Sequence, residues 1–144
     1  DLYGSFMTYQ TVESLNPSVN NVLVVGPWHH GGWASNDGDK LGPANFGSKT
    51  GAYYREHIEL PFFEKYLKDA NLSAPAEATV FETGSNTWKT FDHWPPRATA
   101  KQVWYLNEKS SLSLSPPQQK DGADTYVSDP AKPVPYTEVV TSRM

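Results

Sequence analysis

Val22-Leu23-Val24-Val25-Gly26-Pro27-Trp28-His29-His30-Gly31-Gly32 places four apolar residues, three of them β-branched, directly before two histidines. Such a run suits a short strand buried on both faces of a parallel sheet. Gly26 and Pro27 stop the strand, and the chain continues into a loop flanked by Trp28 and a glycine pair. A strand that ends by handing over a histidine puts an imidazole at the C-terminal edge of a sheet, where open α/β folds gather their ligands.

Upstream, Leu2, Phe6, Tyr9, Val12 and Leu15 recur at spacings of three and four, which predicts a helix over residues 1–15. Asn16-Pro17 ends it, because the residue before proline is pushed out of the helical region. Helix, short turn and buried strand make the last αβ step of a parallel sheet. Downstream, residues 33–49 are rich in glycine, asparagine, aspartate and serine and read as a loop. Asn36-Asp37-Gly38-Asp39 invites a calcium reading but lacks the EF-hand spacing and its closing glutamate.

Residues 50–69 form the most amphipathic segment. Tyr54, Ile58, Phe62 and Tyr66 recur every four residues, Phe63 and Leu67 widen the stripe, and Pro61 predicts a kink. Residues 71–78 are small and polar and include Pro75, so they read as an interdomain linker. Beyond them Thr79–Thr83 and Gln102–Leu106 are expected strands, separated by turns through Gly84-Ser85-Asn86-Thr87-Trp88 and Trp94-Pro95-Pro96. Short strands between proline- and glycine-rich turns point to a β-sandwich. The expected fold class is therefore α/β followed by β, with a boundary between residues 1–72 and 73–144.

The 144 residues carry a net charge of −4 and no long basic run, which argues against nucleic acid as the main partner. No apolar stretch approaches the roughly 18 residues a membrane helix needs, so no membrane association is expected. Without cysteine there is no disulfide and no thiolate chemistry. Twelve prolines, ten glycines and five tryptophans fit a loop-rich protein with bulky aromatic packing.

Gly26-Pro27-Trp28-His29-His30 resembles the Gly-Pro-Trp-x-His signature of the cocaine esterase, α-amino-acid ester hydrolase and X-prolyl dipeptidyl peptidase family. The resemblance implies that His30 is the catalytic histidine of a Ser-His-Asp triad and that His29, at the variable position, faces away from the serine. Asp1-Leu2-Tyr3-Gly4 resembles the end of a family segment of the type Trp-Phe-Asp-x-Glu-Asp-Leu-Tyr-Gly. There the triad aspartate lies three positions before the residue matching Asp1, outside this chain. Asp1 itself matches a member of the carboxylate cluster that holds a substrate ammonium in α-amino-acid ester hydrolases. Its plainer reading is a helix N-cap or a first-turn acid.

Leu60-Pro61-Phe62-Phe63-x-x-Tyr66-Leu67 resembles the helix that ends the family's hydrolase domain. Thr83–Trp88, His93–Pro96 and Tyr126–Pro135 resemble the start of its C-terminal jelly roll. A jelly roll needs about eight strands, so the chain is expected to stop inside that domain.

No Gly-x-Ser-x-Gly elbow occurs. The resemblance therefore implies a segment of a longer serine hydrolase, inactive alone, whose missing N-terminal part supplies serine, oxyanion hole and aspartate. It further implies a small ester, amide or short peptide as substrate and no cofactor. A homo-oligomer and a periplasmic or secreted location accord with it. An esterase or acylase of the α-amino-acid ester hydrolase and glutaryl-cephalosporin acylase type is favoured by Asp1–Gly4, with an X-prolyl dipeptidyl peptidase as the alternative. Two other classes compete: a jelly-roll binding module presenting Trp88, Trp94 and Trp104 to a sugar, and a metal-dependent hydrolase using His29, His30, His57 and His93. No ligand spacing supports the second.

Overall fold

The computed structural model describes residues 2–118, 121–123 and 125–134. The chain divides into two compact units, one ending at Thr99 and the other beginning at Ala100.

In the first unit, helix α1 spans Leu2–Leu15 and leads into strand β1, Leu23–Val25. The helix ends where the Asn16-Pro17 pair requires, with Asn16 N–H closing onto the Val12 carbonyl. Of the expected apolar stripe, Tyr9 is buried and Phe6 and Val12 are half-buried, whereas Leu2 and Leu15 are exposed. Length explains this: α1 is about 21 Å long, but the three-residue strand beneath it runs only about 10 Å.

Next come helix α2 (Gly32–Ser35) and a two-stranded ribbon, β2 (Lys40–Leu41) with β3 (Ala44–Asn45). These lie in the stretch read as loop. A continuous helical segment follows, made of α3 (Thr50–Tyr54), a π turn (Arg55–Glu59) and α4 (Leu60–Lys68). The π turn lies just before Pro61, the position at which the sequence predicts a kink. Proline has no N–H and its ring crowds the carbonyl four residues back, so the preceding turn widens and Leu60 N–H bonds to Arg55 O.

Strand β4 (Ala78–Glu82) pairs parallel with β1 in the register Leu23↔Ala78, Val24↔Thr79, Val25↔Val80. A parallel pair needs a crossover, which the helical segment 50–68 provides. Strand β5 (Thr87–Phe91), in a stretch expected to be turn, pairs antiparallel with β4, giving the sheet order β1-β4-β5. Residues 71–77 thus lead back into the sheet that contains β1, and the division by compactness falls at Thr99 rather than at residue 72.

Because side chains alternate along strands, the sheet has two distinct faces. On one, Leu23, Val25, Ala78 and Phe91 pack with Phe6 and Tyr9 of α1 and with Trp94. On the other, Phe81 meets Phe46 at 5.6 Å and Trp88 at 5.3 Å, and Tyr53 of α3 stacks on Trp88 at 5.4 Å. The sheet is therefore covered on both sides by helical segments. One face of α4 is open along its length, with Leu60, Phe63 and Leu67 exposed.

A polar staple ties α1 to the chain entering β4. The Tyr9 hydroxyl donates to Glu77 Oε1 at 2.6 Å, and His93 Nδ1 lies 3.4 Å from the same oxygen. Asn21 Nδ2 donates to the Tyr9 carbonyl and to Glu13.

The second unit contains a hairpin of β6 (Tyr105–Asn107) and β7 (Ser111–Ser113), shifted from the expected strand at 102–106. Val103 and Trp104 are half exposed, so the apolar run there does not act as strand core. Beyond β5 no helix occurs among the described residues. Asp1 and Pro135 lie outside the described residues.

The loop after β1 is fastened at Trp28. Its indole N–H donates to Thr50 Oγ1 at 2.9 Å, and the Thr50 hydroxyl donates to the Gly38 carbonyl at 2.6 Å. Thr50 is fully buried. The indole lies so close over Gly26 that a Cβ there would come within 2.3 Å of the ring. Trp28 also packs on Tyr54 at 5.2 Å and Trp88 at 5.9 Å, joining strand end, helix and sheet.

Thr50→Val keeps the volume of this side chain but strips both hydrogen bonds; it should cost about 2 kcal/mol of unfolding free energy, read from the urea midpoint. Thr50→Ser should recover most of the loss, and equal midpoints for the valine variant and the parent would deny the hydroxyl any role. A second expectation concerns alkaline pH. Burial, then the hydrogen bond from Tyr9 to Glu77, then the charges of Glu77 and Glu13 push the Tyr9 phenol above its ordinary value. The unfolded phenol loses its proton near pH 10 while the folded one keeps it. The folded state then binds more protons, so this contribution is complete below about pH 10 and is lost as pH rises beyond it. Stability should therefore fall less steeply between about pH 9 and pH 11 in Tyr9→Phe than in the parent; parallel slopes would contradict the assignment.

Candidate active site

The chain leaving β1 turns sharply at His29-His30-Gly31-Gly32. Gly32 N–H donates to the His29 carbonyl at 2.9 Å. Gly31 has φ 74° and ψ −2°, the third-position geometry of a type II turn, which requires positive φ and so glycine. His30 occupies the second position. Gly31 then serves as N-cap of α2.

The two histidines are placed differently. His29 uses both ring nitrogens within the loop: Nδ1 donates to the His30 carbonyl at 2.9 Å, and Nε2 accepts from Asn36 Nδ2 at 3.0 Å. That pairing needs the proton on Nδ1, since a carbonyl only accepts and an amide nitrogen only donates. His30 is exposed, with its ring edge-on to Trp33 at 6.0 Å. Both histidines border a cleft of about 660 Å³ whose lining includes Phe6, Val25, Pro27, Trp33 and Tyr54. Burial, then the charge of Glu59 and a hydrogen bond to it, raise the Tyr54 phenol above its ordinary value.

Arg55, at the first position of the π turn, holds α2 from below. Its Nη1 donates to the carbonyls of Trp33 at 2.7 Å and Asn36 at 2.9 Å, groups that the end of a short helix leaves unsatisfied. The Asn36–Asp39 stretch is a turn in which Gly38 N–H bonds to Asn36 Oδ1, and it is tied to the chain around α3 by Asp37, which pairs with Lys49 at 3.0 Å and accepts from Gly51 N–H on its carbonyl.

The remaining candidates lie elsewhere. His57 packs on the ring of Tyr53 at 4.7 Å, and His93 faces Glu77. No group of three or more metal-ligating side chains forms among the described residues. Trp88 is packed against Trp28, Tyr53 and Phe81, and Trp94 against Phe6 and Phe91, so these rings are engaged in internal packing. Trp104 is 56% exposed. Asp1 lies outside the described residues. Thr50, Asn36 and Arg55 escape sequence reasoning because each acts through a loop carbonyl or ring that no local pattern reveals.

No family model matches the chain. Cocaine esterase of a Rhodococcus species is 27% identical over 148 residues, a match covering 92% of this chain and 25% of that protein. Among solved structures, an aminopeptidase from a marine sediment Thaumarchaeota archaeon superposes with a TM-score of 0.81 at 38% identity. That match covers 96% of this chain and 22% of the other. An α-amino acid ester hydrolase superposes with a TM-score of 0.79 at 34% identity, covering 94% of this chain and 23% of the other. The chain spans a quarter or less of the length of the curated relatives it matches. Its sequence and its fold together make it a member of the cocaine esterase, α-amino-acid ester hydrolase and X-prolyl dipeptidyl peptidase family.

Proposed function

We propose that this chain is the histidine-bearing part of a serine hydrolase and that His30 is its general base. The observation that carries the reading is the placement of His30, exposed beside an apolar cleft just past the end of a parallel strand; His29, exposed beside the same cleft, has its ring nitrogens on the His30 carbonyl and Asn36. The chain holds no serine elbow of its own. Residues outside it would therefore supply the nucleophile, the oxyanion hole and the aspartate that orients His30.

In the first half-reaction His30 takes the serine proton as the hydroxyl attacks an ester or amide carbonyl, then returns it to the leaving alcohol or amine. In the second, it activates the water that releases the acyl group. One ring nitrogen must face the serine and the other a carboxylate.

Acyl donors with a free α-amino group are the favoured substrates. Two solved relatives carry names of that kind, an aminopeptidase and an α-amino acid ester hydrolase. Asp1 would help hold the ammonium. The X-prolyl dipeptidyl peptidase reading differs in cleaving an amide after proline, and paired ester and X-prolyl amide substrates separate the two. We assign residues up to β5 to the catalytic domain, because β4 and β5 share the sheet of β1. The β-structure after Thr99 would open a jelly-roll domain.

In the protein that carries the serine, His30→Ala should lower ester turnover by about a thousandfold or more, as loss of a triad base does. His57→Ala and His93→Ala should leave it within a few fold. If His30→Ala spared turnover while either of the others abolished it, the assignment would fall.

A further inference from the structure

We propose that His29 is a positioning residue that sets the peptide on which His30 is carried; this rests on reading His30 as the base. The two commonest β-turns differ mainly by a flip of their central peptide, which here joins His30 to Gly31. Gly31 at φ 74° corresponds to one flip state, and glycine tolerates both signs of φ, so the backbone alone does not lock it. The His29 ring does. Its Nδ1–H donates to the His30 carbonyl, the oxygen that would move to the other side of the turn if the peptide flipped.

The ring is itself held from behind. Asn36 Nδ2 donates to His29 Nε2, and the Asn36 carbonyl accepts from Arg55 on the π turn. A hydrogen-bonded relay therefore runs from the helical segment through Asn36 and His29 to the peptide of the base. It also fixes the His29 tautomer, because Nε2 must be the bare nitrogen to accept from an amide. No family signature dictates this arrangement, since His29 stands at the position the motif leaves open.

Two side chains separate the functions of the ring. The amide nitrogen of asparagine can take the place of Nδ1, and the amide end of glutamine reaches the place of Nε2. In the intact hydrolase, His29→Ala and His29→Gln should each lower kcat about five- to tenfold with KM unchanged, the loss of about one hydrogen bond. His29→Asn should recover most of kcat. Nitrogen-15 NMR of the parent protein, independent of turnover and of whether the variants fold, should show His29 protonated on Nδ1 alone near neutral pH. A His29 ring protonated on Nε2 alone, equal kcat in His29→Asn and His29→Ala, or an effect confined to KM would overturn the proposal. Full turnover in His30→Ala would instead remove the base assignment, and the NMR result would still judge the hydrogen bond itself.

Discussion

The hydrogen bond from the Trp28 indole to the buried Thr50 hydroxyl holds the loop on which the candidate site depends. Thr50 passes the bond on to the Gly38 carbonyl, so one fully buried side chain fastens the loop after β1 and the turn between α2 and β2 to the start of α3. The rest of the indole fills the space over Gly26 and lies against Tyr54 and Trp88. A ring anchored at its polar corner and packed on several sides has little freedom. Two residues further on, His30 leaves a backbone whose starting point is already set.

A parallel strand end is a demanding platform for a catalytic group, because nothing in its own hydrogen-bond ladder orders the residues beyond it. Here the order comes from the other side of the crossover. The helical segment that allows β1 and β4 to run parallel also supplies Thr50, Tyr54 and Arg55, all of which grip the histidine loop. Pro61 contributes indirectly: by forbidding a regular turn it opens the π turn that begins at Arg55. On the opposite sheet face, Tyr9 and Glu77 fasten α1 to the strand beside β1. The platform is thus held from both layers.

Strand β1, its abrupt end and the histidines that follow were legible in the sequence because β-branched runs and Gly-Pro punctuation act locally. So were α1 and the long helix, through their spacing. Strand β5 was not. Thr83-Gly84-Ser85-Asn86 reads as loop, and the five residues after it are too few to establish an alternation against that background. The return of β4 to the sheet of β1 was hidden for another reason, since residues 71–77 have linker composition and only register with a distant strand reveals their role. Thr50 and Arg55 act across 12 to 22 residues of sequence. His30 is proposed from its motif; the partners that hold its loop are visible only in three dimensions.

The central claim is that His30, and no other histidine, works beside the nucleophile. A crystal structure of the serine-bearing protein inactivated by an aryl phosphonate tests it directly, because the adduct marks the serine and the tetrahedral phosphorus stands in for the acyl-transfer intermediate. The account predicts a ring nitrogen of His30 within about 3.2 Å of the adduct's serine oxygen or leaving-group site, with His29 still bound to the His30 carbonyl and Asn36. An adduct flanked by His29, by His57 or by a histidine from outside this chain, with His30 turned away, would contradict it.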